Sequence, residues 1–356
     1  MPNPSNAVAA IEAPRVPIGD HGLRLPRLGL GTASLGNFLG AISDEQAIDT
    51  IRGAHDAGIR YVDTAPLYGH GLAERRVGAA LREVPRADLV ISSKVGRLLR
   101  ADAPRDESQY VDGEPFYTDV PATGPVWDFS YEGVRTSLEE SLGRLGMDSI
   151  DILHLHDPDD HYEEASTTAY AALRDLRAAG TVKAISAGMN RTEVLTTLVE
   201  NLDLDLVLLA GRYTLLDQSS LSDLLPACRK RGTKVIVGGV FNSGILVDPS
   251  PQARYDYVTA PAGIVEKAQR IKAVCDRHDV PLAAAAIQFP FAHPQVASVL
   301  IGARSADELA MDLDLLQVAI PDKLWHDLRS DGLLPDDVPV PSGGQKGQHP
   351  DRKRHV

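Results

Sequence analysis

The chain is short of several things, and each shortage closes off a class of protein. Among its 356 residues are two cysteines, Cys228 and Cys275. Two are too few for a disulfide framework, and no metal-type Cys/His spacing surrounds them. No apolar run approaches the ~20 residues of a membrane span. The N-terminus has no basic region followed by an apolar one, so no signal peptide is expected. Basic residues are outnumbered, 36 Lys and Arg against 49 Asp and Glu, for a net charge of −13. That balance argues against a nucleic-acid partner, and the closing "DRKRHV" reads as a short solvated tail. What is present is ordinary globular composition, 43% hydrophobic and 24% charged, enough for a sizeable core. A soluble cytoplasmic protein with a small-molecule substrate and no obligate protein partner is expected.

Both ends read as tails. Residues 1–14 are rich in Ala, Pro and Asn, and 336–356 are polar with much Gly and Pro. Neither offers enough apolar area to offset its ordering entropy. Between them, 15–335 reads as one domain in which short β-branched runs alternate with segments of helical period. The expected strands are 27–33, 58–64, 88–95, 149–156, 181–188, 204–210, 233–239 and 296–302. Helix signals lie between them: Ser43 opens one segment that Gly58 closes, and Asp128 or Ser130 opens another with Val134, Leu138, Leu142 and Leu145 on one stripe. Eight strand–helix repeats with mostly apolar strands predict an α/β fold, a closed (β/α)₈ barrel buried on both faces. A doubly wound sheet would want a G-x-G-x-x-G turn after its first strand, and "LGLGTASLG" does not fit. Residues 16–31 can form an N-terminal hairpin turning at Asp20-His21-Gly22 and covering the barrel bottom. The long segment 96–129 interrupts the third repeat and is expected over the active-site face.

In such barrels reactive groups sit where strands end. The second strand ends on Asp63, with Tyr68 in the following loop; the third ends on Lys94 and the fourth on His156. Each has a plain alternative. A lone Asp can cap a turn, and a loop Tyr can simply cover apolar surface. His154, inside its strand, reads more as a core residue than His156 does. Lys94 is harder to dismiss, because a buried lysine needs a partner. Together the four make coherent chemistry. A phenol of pKa ~10 is a poor proton carrier near pH 7, and a neighbouring ammonium would lower that value. A carboxylate would orient the lysine, and an imidazole would bond the substrate oxygen. The set suits moving a proton on or off oxygen while a hydride leaves or reaches its carbon. It holds neither a nucleophile–base pair nor a metal cage.

These residues resemble the Asp-Tyr-Lys-His tetrad of the aldo-keto reductases. "YVDTAPLYGHGLAERRVGAAL", "SSKVGRLL", "DILHLHDPDDH", "AISAGMN", "LLAGRYTLLDQ", "GGVFNSGIL" and "LIGARSADEL" are similar to the sugar-oxidising branch, over roughly residues 16 to 335. The resemblance implies an NAD(P)-dependent (β/α)₈ oxidoreductase that oxidises the anomeric hydroxyl of an aldose such as L-fucose to the lactone. It makes Tyr68 the general acid/base, Lys94 its pKa modulator, Asp63 the lysine's partner and His156 the ligand of the substrate oxygen. It assigns the nicotinamide carboxamide to Gly188, Met189 and Asn190, and the pyrophosphate to Phe241, Asn242, Ser243 and Gly244. Gly302, Ala303, Arg304 and Ser305 would hold the adenosine half. The chain departs from the family at Ala210, where glutamine is common, and at Gly238 and Gly239, where an aromatic often stacks on the nicotinamide. Trp127 and His70 are candidates for substrate contact, with packing or surface cover the plainer roles. Glu308 and Asp312, near Arg304, would repel a 2′-phosphate, so NAD is expected over NADP. The alternatives are oxidation of a pyridoxal-type hemiacetal, carbonyl reduction, or a nucleotide-sensing regulatory subunit on the same fold.

Overall fold

The computed structural model describes residues 14–342 apart from Arg105 and Asp112. Eight parallel strands close into a barrel. They are β1 (Leu28–Gly31), β2 (Tyr61–Asp63), β3 (Val90–Val95), β4 (Ile152–His156), β5 (Ala184–Met189), β6 (Leu206–Ala210), β7 (Lys234–Gly238) and β8 (Val296–Ile301). Each falls within, or one residue beyond, an expected run. The fold is the (β/α)₈ barrel that the repeats predict.

The strands are apolar on both faces because each face has its own core. Outward side chains such as Val62, Ile91, Leu153 and Val207 pack against the surrounding helices. Inward ones, including Tyr61, Val90, Ile152, Leu206 and Ile236, fill the barrel and meet Ile18, Leu23 and Leu25. Those three belong to the N-terminal hairpin, Arg15–Ile18 paired with Leu23–Pro26, which closes the bottom. Ser43 and Ser130 cap their helices as expected, each accepting from a backbone N–H three residues on.

The insertion after β3 is built of antiparallel ribbons. Arg97–Arg100 pairs with Gly124–Trp127, so Arg97 lies opposite Trp127. Leu39 N donates to Phe116 O at 2.7 Å, and the Asn37 amide donates to Thr118 O and Asp119 O. These bonds tie the insertion to the loop after β1. A small hairpin, Arg254–Tyr255 with Val258–Thr259, brings Tyr257 against Phe38 and Phe116.

One boundary differs from the sequence reading. The polar stretch from residue 336 does not leave the barrel at once. Val338 is buried, Val340 packs on the core, and Arg329 donates to Val338 O at 2.6 Å. Two valines docking in a polar segment make no periodic pattern. The expected tails at residues 1–13 and 343–356, with "DRKRHV", lie outside the described residues.

Candidate active site

Parallel register assembles the site. Asp63 pairs with Ser92, and Lys94 pairs with His154. His156 lies beside Gly188. With side chains alternating along strands, Ser92, Lys94, His154 and His156 all point into the barrel at its C-terminal mouth. Lys94 Nζ donates to Asp63 Oδ2 at 2.7 Å and to Thr64 O at 2.9 Å. Asp63 Oδ1 accepts from Ser92 Oγ at 2.7 Å, and Ser92 Oγ lies 3.0 Å from the Tyr61 hydroxyl. Lysine and aspartate are both buried, so each charge is matched inside the protein.

Tyr68 enters from the turn after β2. Its ring lies edge-on to His156, centroids 6.0 Å apart, and Lys94 Nζ stands 4.6 Å from its centroid. Tyr68, Lys94 and His156 line one pocket of about 500 Å³, and Asp63 joins them through its bond to Lys94. The expectation about the phenol needs correcting. Burial, then the Asp63 and Asp157 carboxylates, push Tyr68 well above its ordinary value, and Arg97 only partly opposes them. The lysine sits near the ring face with its charge engaged by Asp63 and Thr64. His156 is held well below the usual imidazole range by burial, then by Arg97 and Lys94. It is neutral near pH 7.

His154 is more than packing. Its Nδ1 lies 2.7 Å from Ser186 Oγ, and its Nε2 stands 3.6 Å from Asp63 Oδ1. Burial and Lys94 hold it well below its ordinary pKa, hence neutral.

Aromatic rings and carboxylates line the rest of the pocket: Phe38, Phe116, Tyr117, Trp127 and Tyr257, with Asp157, Asp159 and Asp160. Trp127 faces this space, but His70 does not. His70 lines a neighbouring cavity of about 550 Å³ within the insertion. Its left-handed backbone, φ 51° between two left-handed glycines, turns it away from Tyr68's pocket. Arg97 and Asp157 line the same pocket as Tyr68, although neither was expected there. Their signal was adjacency: Asp157 follows His156 directly, and Arg97 follows Lys94 by one turn of ribbon.

The residues expected around a dinucleotide ring the same mouth. Gly188, Met189 and Asn190 line the pocket, and Gly188 leaves a floor without a side chain beside His156, a fit for a planar ring. Asn242, Ser243 and Gly244 run through three successive left-handed conformations, φ 46°, 59° and 94°. Asn242 itself is a strut, donating to Gly211 O and accepting from Thr214 Oγ1, while Phe241 packs on the core. Ser243 Oγ accepts from Tyr257 N. The Asn242 and Ser243 side chains are therefore engaged, and the backbone N–H groups of Asn242 and Gly244 donate within the turn to Gly239 O and Phe241 O. After β8, Gly302 and Ala303 lead into Ser305, which caps helix Ala306–Leu315 and opens an anion-favouring terminus.

The two acids expected to face the adenosine have other roles. Glu308 reaches back to accept at 2.7 Å from the N–H of Arg304, the residue before the N-cap, while Ser305 Oγ accepts from Glu308 N. Asp312 is buried, and burial together with Glu308 pushes it up to about 7. Arg304 donates to Phe38 O and Gly40 O.

Sequence comparison places the barrel in a family. The chain belongs to the aldo/keto reductase family, whose model matches residues 27–330; it is an oxidoreductase, and the family uses NAD or NADP. It is 44% identical to a D-threo-aldose 1-dehydrogenase from a Pseudomonas species, over 88% of this chain and 96% of that one. It is 40% identical to a pyridoxal 4-dehydrogenase from Microbacterium luteolum, over 89% and 97%. Among solved structures, a Bacillus halodurans aldo-keto reductase superposes with a TM-score of 0.68 at 24% identity, over 89% of this chain and 96% of that one.

Proposed function

We propose that the protein oxidises the anomeric hydroxyl of an aldose, of the L-fucose or D-threo type, to the lactone. The observation that carries this reading is the convergence of Tyr68, Lys94 and His156, with Asp63 bonded to the lysine, at one pocket that also presents aromatic rings and carboxylates. A sugar has apolar C–H faces for the rings and hydroxyls for the acids. Pyridoxal, the substrate in the other relative's name, offers one aromatic face and fewer hydroxyls.

In this reading the neutral His156 and the Tyr68 oxygen bond the reacting oxygen. A nicotinamide, when bound, would supply the acceptor for the hydride that leaves C1. Tyr68, as phenolate, takes the hydroxyl proton while the C1=O bond forms; in the reverse direction its phenol returns that proton. Asp63, itself bonded by Ser92, and Thr64 O hold Lys94, and Lys94 stands over the phenol's ring. Gly188, Met189 and Asn190 would hold the nicotinamide. The loop 241–244 and residues 302–305 would hold the rest of the dinucleotide.

NAD is the cofactor we favour. Arg304 already serves two carbonyls, and Glu308 adds negative charge beside it. A 2′-phosphate would have to compete for that guanidinium. The deciding experiment is a panel: NAD⁺ and NADP⁺ reduction with L-fucose, D-arabinose, D-galactose, pyridoxal and a generic aldehyde. Highest kcat/KM with an aldose and NAD⁺ is expected. Pyridoxal exceeding every sugar would overturn the substrate reading. A tenfold NADP⁺ preference, lost in Arg304→Ala, would overturn the cofactor reading.

A further inference from the structure

Two arginine–aspartate pairs stand near the pocket mouth, and they differ. Arg212 grips Asp256 with a full fork, one nitrogen on each carboxylate oxygen at 3.0 and 2.6 Å. That is the geometry of a strut. Arg97 meets Asp157 at 3.3 and 3.2 Å, and both nitrogens go to the same oxygen, Oδ2. Among the described residues no hydrogen bond reaches Asp157 Oδ1. Arg97 itself is buried at the base of the ribbon, 3.9 Å above the Trp127 ring, and its Nε has no acceptor. The pair is anchored but incomplete.

Its placement gives the incompleteness a use. Asp157 adopts a left-handed backbone, φ 43°, which costs an aspartate about 1 kcal/mol or more. In return its carboxylate lies in the pocket, 3.6 Å from His156 Nε2. Two oxygens on adjacent carbons lie about a hydrogen bond's length apart. A substrate whose reacting oxygen sits on His156 therefore presents its neighbouring oxygen to Asp157 and Arg97. At an anomeric carbon the neighbouring oxygens are the ring oxygen, which only accepts, and the hydroxyl on C2, which also donates. A carboxylate selects the donor.

We propose that Asp157, oriented by Arg97, reads the hydroxyl on the carbon next to the one oxidised, restricting the enzyme to 2-hydroxy aldoses. This rests on the aldose reading above. A site built to bond a hydroxyl rejects the analogue lacking it far more strongly than an apolar pocket does. An aldehyde or hemiacetal without that hydroxyl should therefore be a poor substrate.

The test compares kcat/KM for D-arabinose and its 2-deoxy analogue on the same enzyme, so general damage cancels in the ratio. Two variants keep the left-handed backbone accessible: Asp157→Asn, isosteric, and Asp157→Gly, free of backbone strain. The wild type should prefer the 2-hydroxy sugar by about 100-fold or more. The ratio should fall at least tenfold in Asp157→Gly and by an intermediate amount in Asp157→Asn. An unchanged ratio in a folded Asp157→Gly, with wild-type turnover of D-arabinose intact, sinks this inference alone. No wild-type turnover of any aldose, with turnover of pyridoxal, sinks the aldose reading beneath it.

Discussion

Lys94 meets Tyr68 near the ring face, and this decides how a proton can leave the phenol. With the ammonium bonded to Asp63 and Thr64, the phenol stays protonated well above its ordinary pKa. On the proposed reading it would serve as an acid at neutral pH and as a base only at high pH. Sugar oxidation should therefore quicken with rising pH, up to about tenfold per unit below that pKa, while carbonyl reduction stays level through the neutral range. An oxidation rate flat between pH 7 and 9 would show that the phenolate forms early. Tyr68→Phe should cut kcat by about 10²–10⁴ with cofactor affinity nearly unchanged, read by fluorescence titration; near-normal turnover refutes its role. The two histidines invite a second comparison. His156 is in the pocket lining, whereas His154 is not, and its ring nitrogens lie beside Ser186 and Asp63. His156→Ala should lower kcat/KM with the best aldose more than His154→Ala does, and the reverse order would place the substrate oxygen elsewhere.

Elements, too, carry parts of the site that no single residue announces. Tyr68 rides a tight turn in which Tyr68 N donates to Ala65 O and Gly71 N to Pro66 O. That turn rests on Gly36, from the loop after β1: a Cβ there would come within 2.6 Å of the Tyr68 carbonyl carbon. Backbone offers no flexible end to yield, so the turn must move. Gly36→Ala should cost about 1–3 kcal/mol of stability and lower kcat about tenfold or more, because a small misplacement of a catalytic group is expensive. An unchanged kcat alongside a lowered melting temperature would separate the turn from catalysis. The sequence made the strands legible because apolar runs must be buried on both faces of a barrel. It showed Asp63, Lys94 and His156 because polar residues ending such runs are conspicuous. Gly36 against Tyr68, Arg97 across from Trp127, and the docking of Val338 depend on contacts between distant segments, which leave no local period. Asp312 misled for the same reason: helical position alone does not tell a solvated carboxylate from a buried one.

Over the whole molecule, several ionisable groups are folded in their uncharged forms, and they pull stability in opposite directions with pH. His154 and His156 are held well below the ordinary imidazole value, and burial with Arg229 nearby takes His293 down to about 4. In the unfolded chain these would protonate near ~6.5. The unfolded state then binds more protons, so stability is lost as pH falls below that value. Asp312 has the opposite sign. Its folded value is raised to about 7, whereas the unfolded chain ionises near ~3.9. The folded state binds the extra proton, so the stability Asp312 contributes is whole below pH ~4 and lost as pH rises towards 7. Asp312→Asn removes that loss. The variant should gain about 2 kcal/mol more over the parent at pH 8 than at pH 5, measured by chemical denaturation at both. Its NAD⁺ to NADP⁺ ratio should match the parent's, because the side chain is buried away from solvent. An equal gain at both pH values would mean the carboxyl is ionised throughout. A tenfold change in the cofactor ratio would return Asp312 to the adenosine site, where helical spacing had first put it.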